Sequence, residues 1–338
     1  MPKPTMQELA SQAGVSRITV WKVLNHRDGV SQAVRERVLQ KAADVGYALP
    51  GAPAIAPEKE RVFAVVVSRP ESSIFWMKII HHLAKELAGH RSRLLYTYMP
   101  TAYQESFTLP TSLSAQSVDA FLVLNVYDRQ LLRLLAEQEA PKVFLDTVPG
   151  LRPPQLRGDL VLLEGRTQTR EITARLLRSG RRRLGFIGDV NYAQTNFDRY
   201  EGFLDAHRAL GRIPDSRLSR TEHLGLHSHF EEISAFLDGL PALPDAFVCA
   251  SDFIASFVSR YFAAPGRSMP EGLVLTGFDN NPEYPGVAER ITTVNVETSA
   301  LGKSLARKLM FRADAPQAPY ETTYVSTDIV YRGQLAAE

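Results

Sequence analysis

Apolar positions change their period along the chain. Between residues 5 and 47 they recur at three- and four-residue spacing. Leu9, Ala10 and Ala13 share one helical face, Val20, Val23 and Leu24 a second, and Val34, Val38, Leu39 and Ala42 a third. Residues 48–60 hold three prolines and a glycine and read as a linker. From residue 61 onward the apolar runs become continuous, at 62–67, 94–98, 120–126, 142–145, 160–163, 184–187, 246–249 and 273–276. Amphipathic stretches fall between them, at 75–89, 129–138, 167–179, 197–210, 228–239, 252–263 and 298–312. Continuously apolar strands separated by helices predict parallel βαβ units with helices on both faces. So long an α/β segment predicts two subdomains with a cleft between them. The expected organisation is a helical domain over 1–47, a Pro-rich linker or hinge over 48–60, and an α/β body over 61–338.

Local signals sharpen the first segment. Thr5 and Glu8 are spaced as a capping box. Gly14 supplies a tight turn, Ser16 caps a second helix over 17–24, and Ser31 caps a third that ends at Gly46. Two short helices joined by a glycine turn are a helix-turn-helix. Opposite the buried stripe of the second helix lie Arg17, Ile18, Trp21, Lys22 and Asn25. Such a mixture on an exposed face calls for a partner, and the DNA major groove accepts a helix and offers base edges and thymine methyls.

Composition changes this picture little. Apolar residues are 44% and charged residues 22% of 338, ordinary for a globular protein. The net charge of +2 is uneven, because the first fifty residues carry +3 and the remainder −1. A small basic unit ahead of a neutral body fits a polyanion-binding head. The single cysteine, Cys249, excludes an intramolecular disulfide, and the start of the chain lacks an apolar secretory stretch. A cytoplasmic, non-membrane protein is expected.

Residues 5–47 resemble the DNA-binding head of the LacI (lactose-repressor) family of bacterial transcription regulators. The resemblance rests on Ala13-Gly14-Val15-Ser16, Thr19-Val20, Val23-Leu24-Asn25, Val30-Ser31, Arg35-Glu36-Arg37-Val38 and Gly46-Tyr47. It implies phosphate contacts from Thr5, Ser16, Thr19, Asn25 and Ser31, and base reading by Arg17, Ile18 and Lys22. Trp21 departs from the small hydroxyl residue usual there; it stacks on sugar or a thymine methyl, or shields a phosphate. The family's hinge helix inserts a leucine into the minor groove. Here residues 50–57 offer only Ile55 as a wedge, and Pro57 disfavours helix, so a degraded hinge helix and an unstructured tether both remain open.

Residues 61–335 resemble the same family's effector domain, which is like that of periplasmic sugar-binding proteins. The signposts are Leu184-Gly185-Phe186-Ile187-Gly188, Arg199 with Gly202-Phe203, Pro244-Asp245, Ser251-Asp252, Gly277-Phe278-Asp279 and Ile291-Thr292-Thr293-Val294. The implied fold is two parallel-sheet subdomains joined by three crossovers, with ligand at the carboxyl ends of strands. Asp146, Asp252 and Asp279 follow strands and suit hydroxyl donors, and Arg199 is a fork of donors. Phe75 and Trp76 offer an apolar plate for a sugar's CH face. Glu164-Gly165-Arg166-Thr167-Gln168 departs from the family's usual Asp-Asn and Gly-Ala.

No phosphate-binding glycine motif and no nucleophile elbow occurs, so neither a nucleotide cofactor nor an enzyme is expected. His223 and His227 could share a helix face near His229, but a metal site is not expected. Arg181, Arg182 and Arg183 end a helix and complement its dipole. The expectation is a homodimeric regulator, repression being the commoner mode, acting at a palindromic operator under a sugar-like effector. Dimer contacts are expected from the body, including helix 75–89. The alternatives are a regulator whose altered pocket answers to a protein partner, a sugar-handling enzyme, and a transport-type binding protein.

Overall fold

The computed structural model describes residues 5–25, 27–45, 47, 60–69 and 73–336. Contacts divide the chain into two units, Met1–Glu60 and Arg61–Glu338.

In the first unit α1 (Met6–Ala13), α2 (Arg17–Leu24) and α3 (Gln32–Asp44) enclose a small core. Leu9, Ala10, Ala13, Val20, Val23, Leu24, Val38 and Ala42 are buried in it. The Thr5–Glu8 capping box opens α1, and Gly14 closes it with φ +62°, a conformation that strains any side chain. The Ser16 hydroxyl accepts the Thr19 amide at 3.1 Å and so caps α2. Leu39, expected on the buried face of α3, is exposed instead. Gly46 and the expected hinge with Ile55 lie outside the described residues.

The second unit begins with β1 (Arg61–Val67), α4 (Ile74–Gly89), β2 (Ser92–Tyr98), β3 (Ala120–Leu124), α5 (Arg129–Ala136), β4 (Lys142–Leu145), α6 (Pro153–Leu156) and β5 (Asp159–Leu163). It continues with α7 (Arg166–Arg178), β6 (Leu184–Ile187), α8 (Gln194–Arg208), α9 (His229–Asp238), β7 (Ala246–Cys249), α10 (Asp252–Phe262), β8 (Val274–Thr276), β9 (Thr293–Asn295), α11 (Thr298–Asp314), β10 (Thr322–Val325) and β11 (Asp328–Val330).

One parallel sheet has the order β10-β5-β4-β3-β1-β2, and a second has β6-β7-β8. Period-two alternation sorts the first sheet's side chains. Phe63, Val65 and Val67 face Ile79, Leu83, Leu305 and Leu309, whereas Ala64 and Val66 face Leu131 and Leu135. Both faces are therefore covered, which is why these strands read as unbroken apolar runs. The chain passes between subdomains after β5, again on entering α11, and a third time between β10 and β11, which pairs antiparallel with β9.

Three strands, β9 to β11, fall where no apolar run was expected. Thr322–Val325 is half exposed at a sheet edge, so its sequence lacks the continuous pattern of a central strand. A buried pair holds it in place. Arg312 is 1% and Asp159 0% exposed, and the two are joined by contacts of 2.6 and 3.0 Å. The remaining guanidinium protons go to the carbonyls of Ala315, Ala318 and Pro319, and Asp159 also accepts the Glu321 amide. Every charge on this buried pair is satisfied, which such burial requires.

Candidate functional site

The head presents α2 outward. Ile18 is 69% and Trp21 45% exposed, with Arg17 and Asn25 also exposed and Lys22 half-buried. Asn25 turns its amide back to the Trp21 carbonyl at 2.9 Å. Arg35 braces the end of the helix through the carbonyls of Val23 and Arg27. The Ser16 and Thr19 hydroxyls lie 2.9 Å apart, and Thr5 is engaged with Glu8. Ser31 is exposed just before α3, where its carbonyl accepts the Arg35 amide.

The body holds a cavity of about 180 Å³ at the carboxyl ends of its strands. Four of its polar residues share one backbone device. Arg69 (φ +41°) follows β1, Asn125 (+55°) follows β3, Asp146 (+67°) follows β4 and Asp279 (+103°) follows β8. Left-handed backbone costs about 1–2 kcal/mol per residue and is least unfavourable for Asn and Asp, which explains three of the four residue types. The chain thus turns sharply after each of these strands, and a polar side chain at the turn lines the cavity.

Two carboxylates in this wall differ in what is left to them. Asp146 Oδ1 accepts the amides of Thr147 (2.8 Å) and Thr195 (3.3 Å); Oδ2 accepts the hydroxyls of Thr195 (2.5 Å) and Tyr127 (3.2 Å). Its lone pairs are filled. It also caps the first turn of α8, whose preceding Ala193 has no capping side chain. Burial nevertheless raises its pKa, against the pull of these hydrogen bonds. The Asp279 carboxylate accepts no hydrogen bond among the described residues. Its nearest cation is Arg199 Nη2, 3.9 Å away. Burial pushes its pKa up to about 6, with the Arg199 charge acting in opposition.

Arg199 is 5% exposed. Its Nη1 donates to the Ala250 carbonyl at 2.5 Å, and its guanidinium lies 3.6 Å over the Phe278 ring. Its Nε is buried without a partner among the described residues. Gly165 gives the stem room, because a Cβ there would stand 3.0 Å from Arg199 Cγ. Aromatic rings complete the wall. Phe75 and Trp76 meet edge to face at 5.1 Å, Tyr127 and Tyr192 lie 4.5 Å apart, and His229 packs on Phe253 and Phe257. Burial lowers the His229 pKa and favours its neutral ring.

The profile described as "Bacterial regulatory proteins, lacI family" matches residues 5–49, and "Periplasmic binding protein-like domain" matches 173–333. The HTH-type transcriptional regulator CelR of Thermobifida fusca is 28% identical over 320 residues, 92% of each chain. The chain joins a LacI-family helix-turn-helix domain to a periplasmic-binding-protein-like domain. The HTH-type transcriptional repressor CytR of Escherichia coli K12 is 24% identical over 344 residues, covering 98% of this chain and 96% of that one. A solved CelR–cellobiose complex matches with TM-score 0.70 at 26% identity, over 98% and 99% of the two chains. The lac repressor dimer bound to operator and anti-inducer shares the fold, with TM-score 0.66 at 18% identity and 99% coverage of each. With its helix-turn-helix head, the chain is a DNA-binding transcription regulator.

Within this body the cavity gathers Phe75, Trp76, Asp146, Arg199 and Asp279. Asp252 does not line it. Its fully buried carboxylate accepts the Asn281 amide at 2.8 Å and the Thr293 hydroxyl at 2.7 Å, and so braces the strand ends behind Asp279. Asp146 lines the cavity with no acceptor free, so it positions other groups. The altered segment before α7 is also accounted for: Glu164 caps the helix through the Thr167 amide, and Gln168 donates to the Thr327 carbonyl. His223 and His227 lie in a loop before α9, not on a shared helix face, and His223 pairs with Asp189 at 3.0 Å. Arg69, Asn125, Tyr127, Asp189, Tyr192, Thr195, Asn196, His229 and Tyr284 were not anticipated. A polar residue closing an apolar run was the available signal for Asn125, which the expected strand 120–126 had absorbed.

Proposed function

We propose that a hydroxyl-rich small molecule, a sugar or sugar derivative, binds in the body's cleft and shifts the affinity of the head for operator DNA. One observation carries this reading: Asp279, whose carboxylate accepts no hydrogen bond among the described residues, lines a cavity together with Arg199 and a set of aromatic rings. A carboxylate suits ligand hydroxyls, a guanidinium suits their oxygens, and Phe75 and Trp76 suit a CH face. The cellobiose complex of the related CelR supports the ligand class. Because binding sites are coupled reciprocally, effector and operator change each other's affinity by the same factor, typically ~1–3 kcal/mol.

On the DNA side Arg17, Ile18 and Lys22 read bases, with Trp21 beside them. Thr5, Ser16, Thr19, Asn25 and Ser31 contact phosphates. A single helix reads few base pairs, so the functional unit is a homodimer on a palindromic operator. Exposed Met77 on α4 and Tyr98 on the neighbouring edge strand β2 supply apolar surface for that dimer. The regulator acts in the cytoplasm as a repressor. No cleft residue is given a catalytic role.

The test is a thermal-shift screen of sugars and their derivatives, followed by operator gel shifts with the best hit. A ligand at 100 times its dissociation constant stabilises by ~2.7 kcal/mol. A hit that alters operator affinity is expected. A hit that binds without altering it removes the coupling, and an empty screen removes the ligand class.

A further inference from the structure

The exposed face of α2 is weighted toward apolar contact, and its polar members are partly occupied. Ile18, Trp21, Lys22 and Asn25 stand at i, i+3, i+4 and i+7, on one face. Asn25 spends its amide on the Trp21 carbonyl. Lys22 reaches back along Gly29, with Nζ 3.5 Å from where a Cβ would stand there. The apolar part of the outward-facing contact therefore falls to Ile18 and Trp21, with Arg17 one residue before Ile18 and Lys22 one residue after Trp21. Neither apolar side chain belongs to the head's core. Two large apolar side chains one turn apart on a face meant for DNA have one complement in the major groove, the 5-methyl group of a pyrimidine.

We infer that Ile18 and Trp21 together form a receptor for a pyrimidine 5-methyl group, making thymine at one position of each half-site a determinant of specificity. The inference rests on the DNA-binding reading of the head. Arg17 supplies positive charge beside the contact, and the apolar pair supplies selectivity through burial of a methyl group and not through a hydrogen bond.

Full-length protein is first used to select its site from a random duplex pool. Each thymine of the selected half-site is then replaced by deoxyuridine, which lacks only the methyl. At one position the loss should be about fourfold, the factor corresponding to ~0.8 kcal/mol for burying one such carbon. At the same position in a C·G variant of the site, 5-methylcytosine should bind about fourfold tighter than cytosine. Trp21→Ser, at an exposed position, should keep its thermal stability and lose most of both discriminations. Equal binding of thymine and deoxyuridine at every position overturns the inference, as does a Trp21→Ser protein that still discriminates. Failure to enrich any site overturns the DNA-binding reading with it, whereas an enriched site indifferent to methyl groups overturns the methyl receptor alone.

Discussion

The recognition helix and the cleft hold their functional groups in opposite ways. In the head Ile18 and Trp21 are exposed and lie outside the domain's core. In the cleft Arg199 and Asp146 are tied by hydrogen bonds into the wall that carries them. A contact surface on a small domain can change residue by residue without unfolding it, because its core lies on the other side of the helix. A buried polar wall cannot, because each group there satisfies another. Mutations should therefore separate stability from binding in the head and confound the two in the cleft.

The largest effect tests the wired side. Arg199→Ala removes a buried cation from between Asp279 and the Ala250 carbonyl, and is expected to lower stability by about 3 kcal/mol as well as abolish effector binding. Chemical denaturation of the variant checks this, and an unchanged midpoint would mean that the cleft is not wired as described. Lys22→Ala tests the other side. It should weaken operator binding by roughly 1–3 kcal/mol, relax preference at one base pair and leave the melting temperature alone. Gel-shift titration beside a thermal melt decides; a matched drop in both would erase the contrast.

Asp279→Asn should sharpen it. Because the folded state already disfavours the charged Asp279, the variant is expected to be no less stable than wild type at pH 8, yet to bind effector about tenfold more weakly by calorimetry. A separate test is a trend with pH. Burial, with the nearby Asp279 charge, raises the Asp252 pKa from 3.8 to about 7. A raised carboxylate contributes stability that is fully present below the unfolded value and is lost as pH rises through the folded one. Wild type should therefore lose stability relative to Asp252→Asn between pH 4 and 7, and the gap should be level above that. Melting curves with parallel pH dependence in the two proteins would refute it.

The same contrast explains what the sequence disclosed. The head is built from signals a few residues apart: the Thr5–Glu8 box, the Gly14 turn and the Ser16 cap each declare themselves locally. The buried stripe of Val20, Val23 and Leu24 then leaves Ile18 and Trp21 outside. The cleft is assembled from residues between Arg69 and Tyr284, and its wall is set by partners that no local spacing reveals. Asp252 and Asp279 both follow strands, yet one faces Thr293 behind the wall and the other faces the cavity. Nothing in their neighbours' identities separates them. Arg199 was legible through family resemblance, whereas Tyr127 and Thr195 matter only because Asp146 lies between them.

Strand β10 has a consequence for how the protein is made. It completes the first sheet by lying against β5, and the Arg312–Asp159 pair fixes it there. The ribosome finishes β5 at Leu163 and does not deliver Thr322 until all of the second subdomain except β11 has been synthesised. At ~5–20 residues per second that interval is on the order of 10 s. Throughout it the nascent first subdomain presents an open edge, with Asp159 lacking its counter-ion. Neither half of the body can mature alone as it leaves the ribosome, so protection of that edge during translation is a requirement written into the order of the strands.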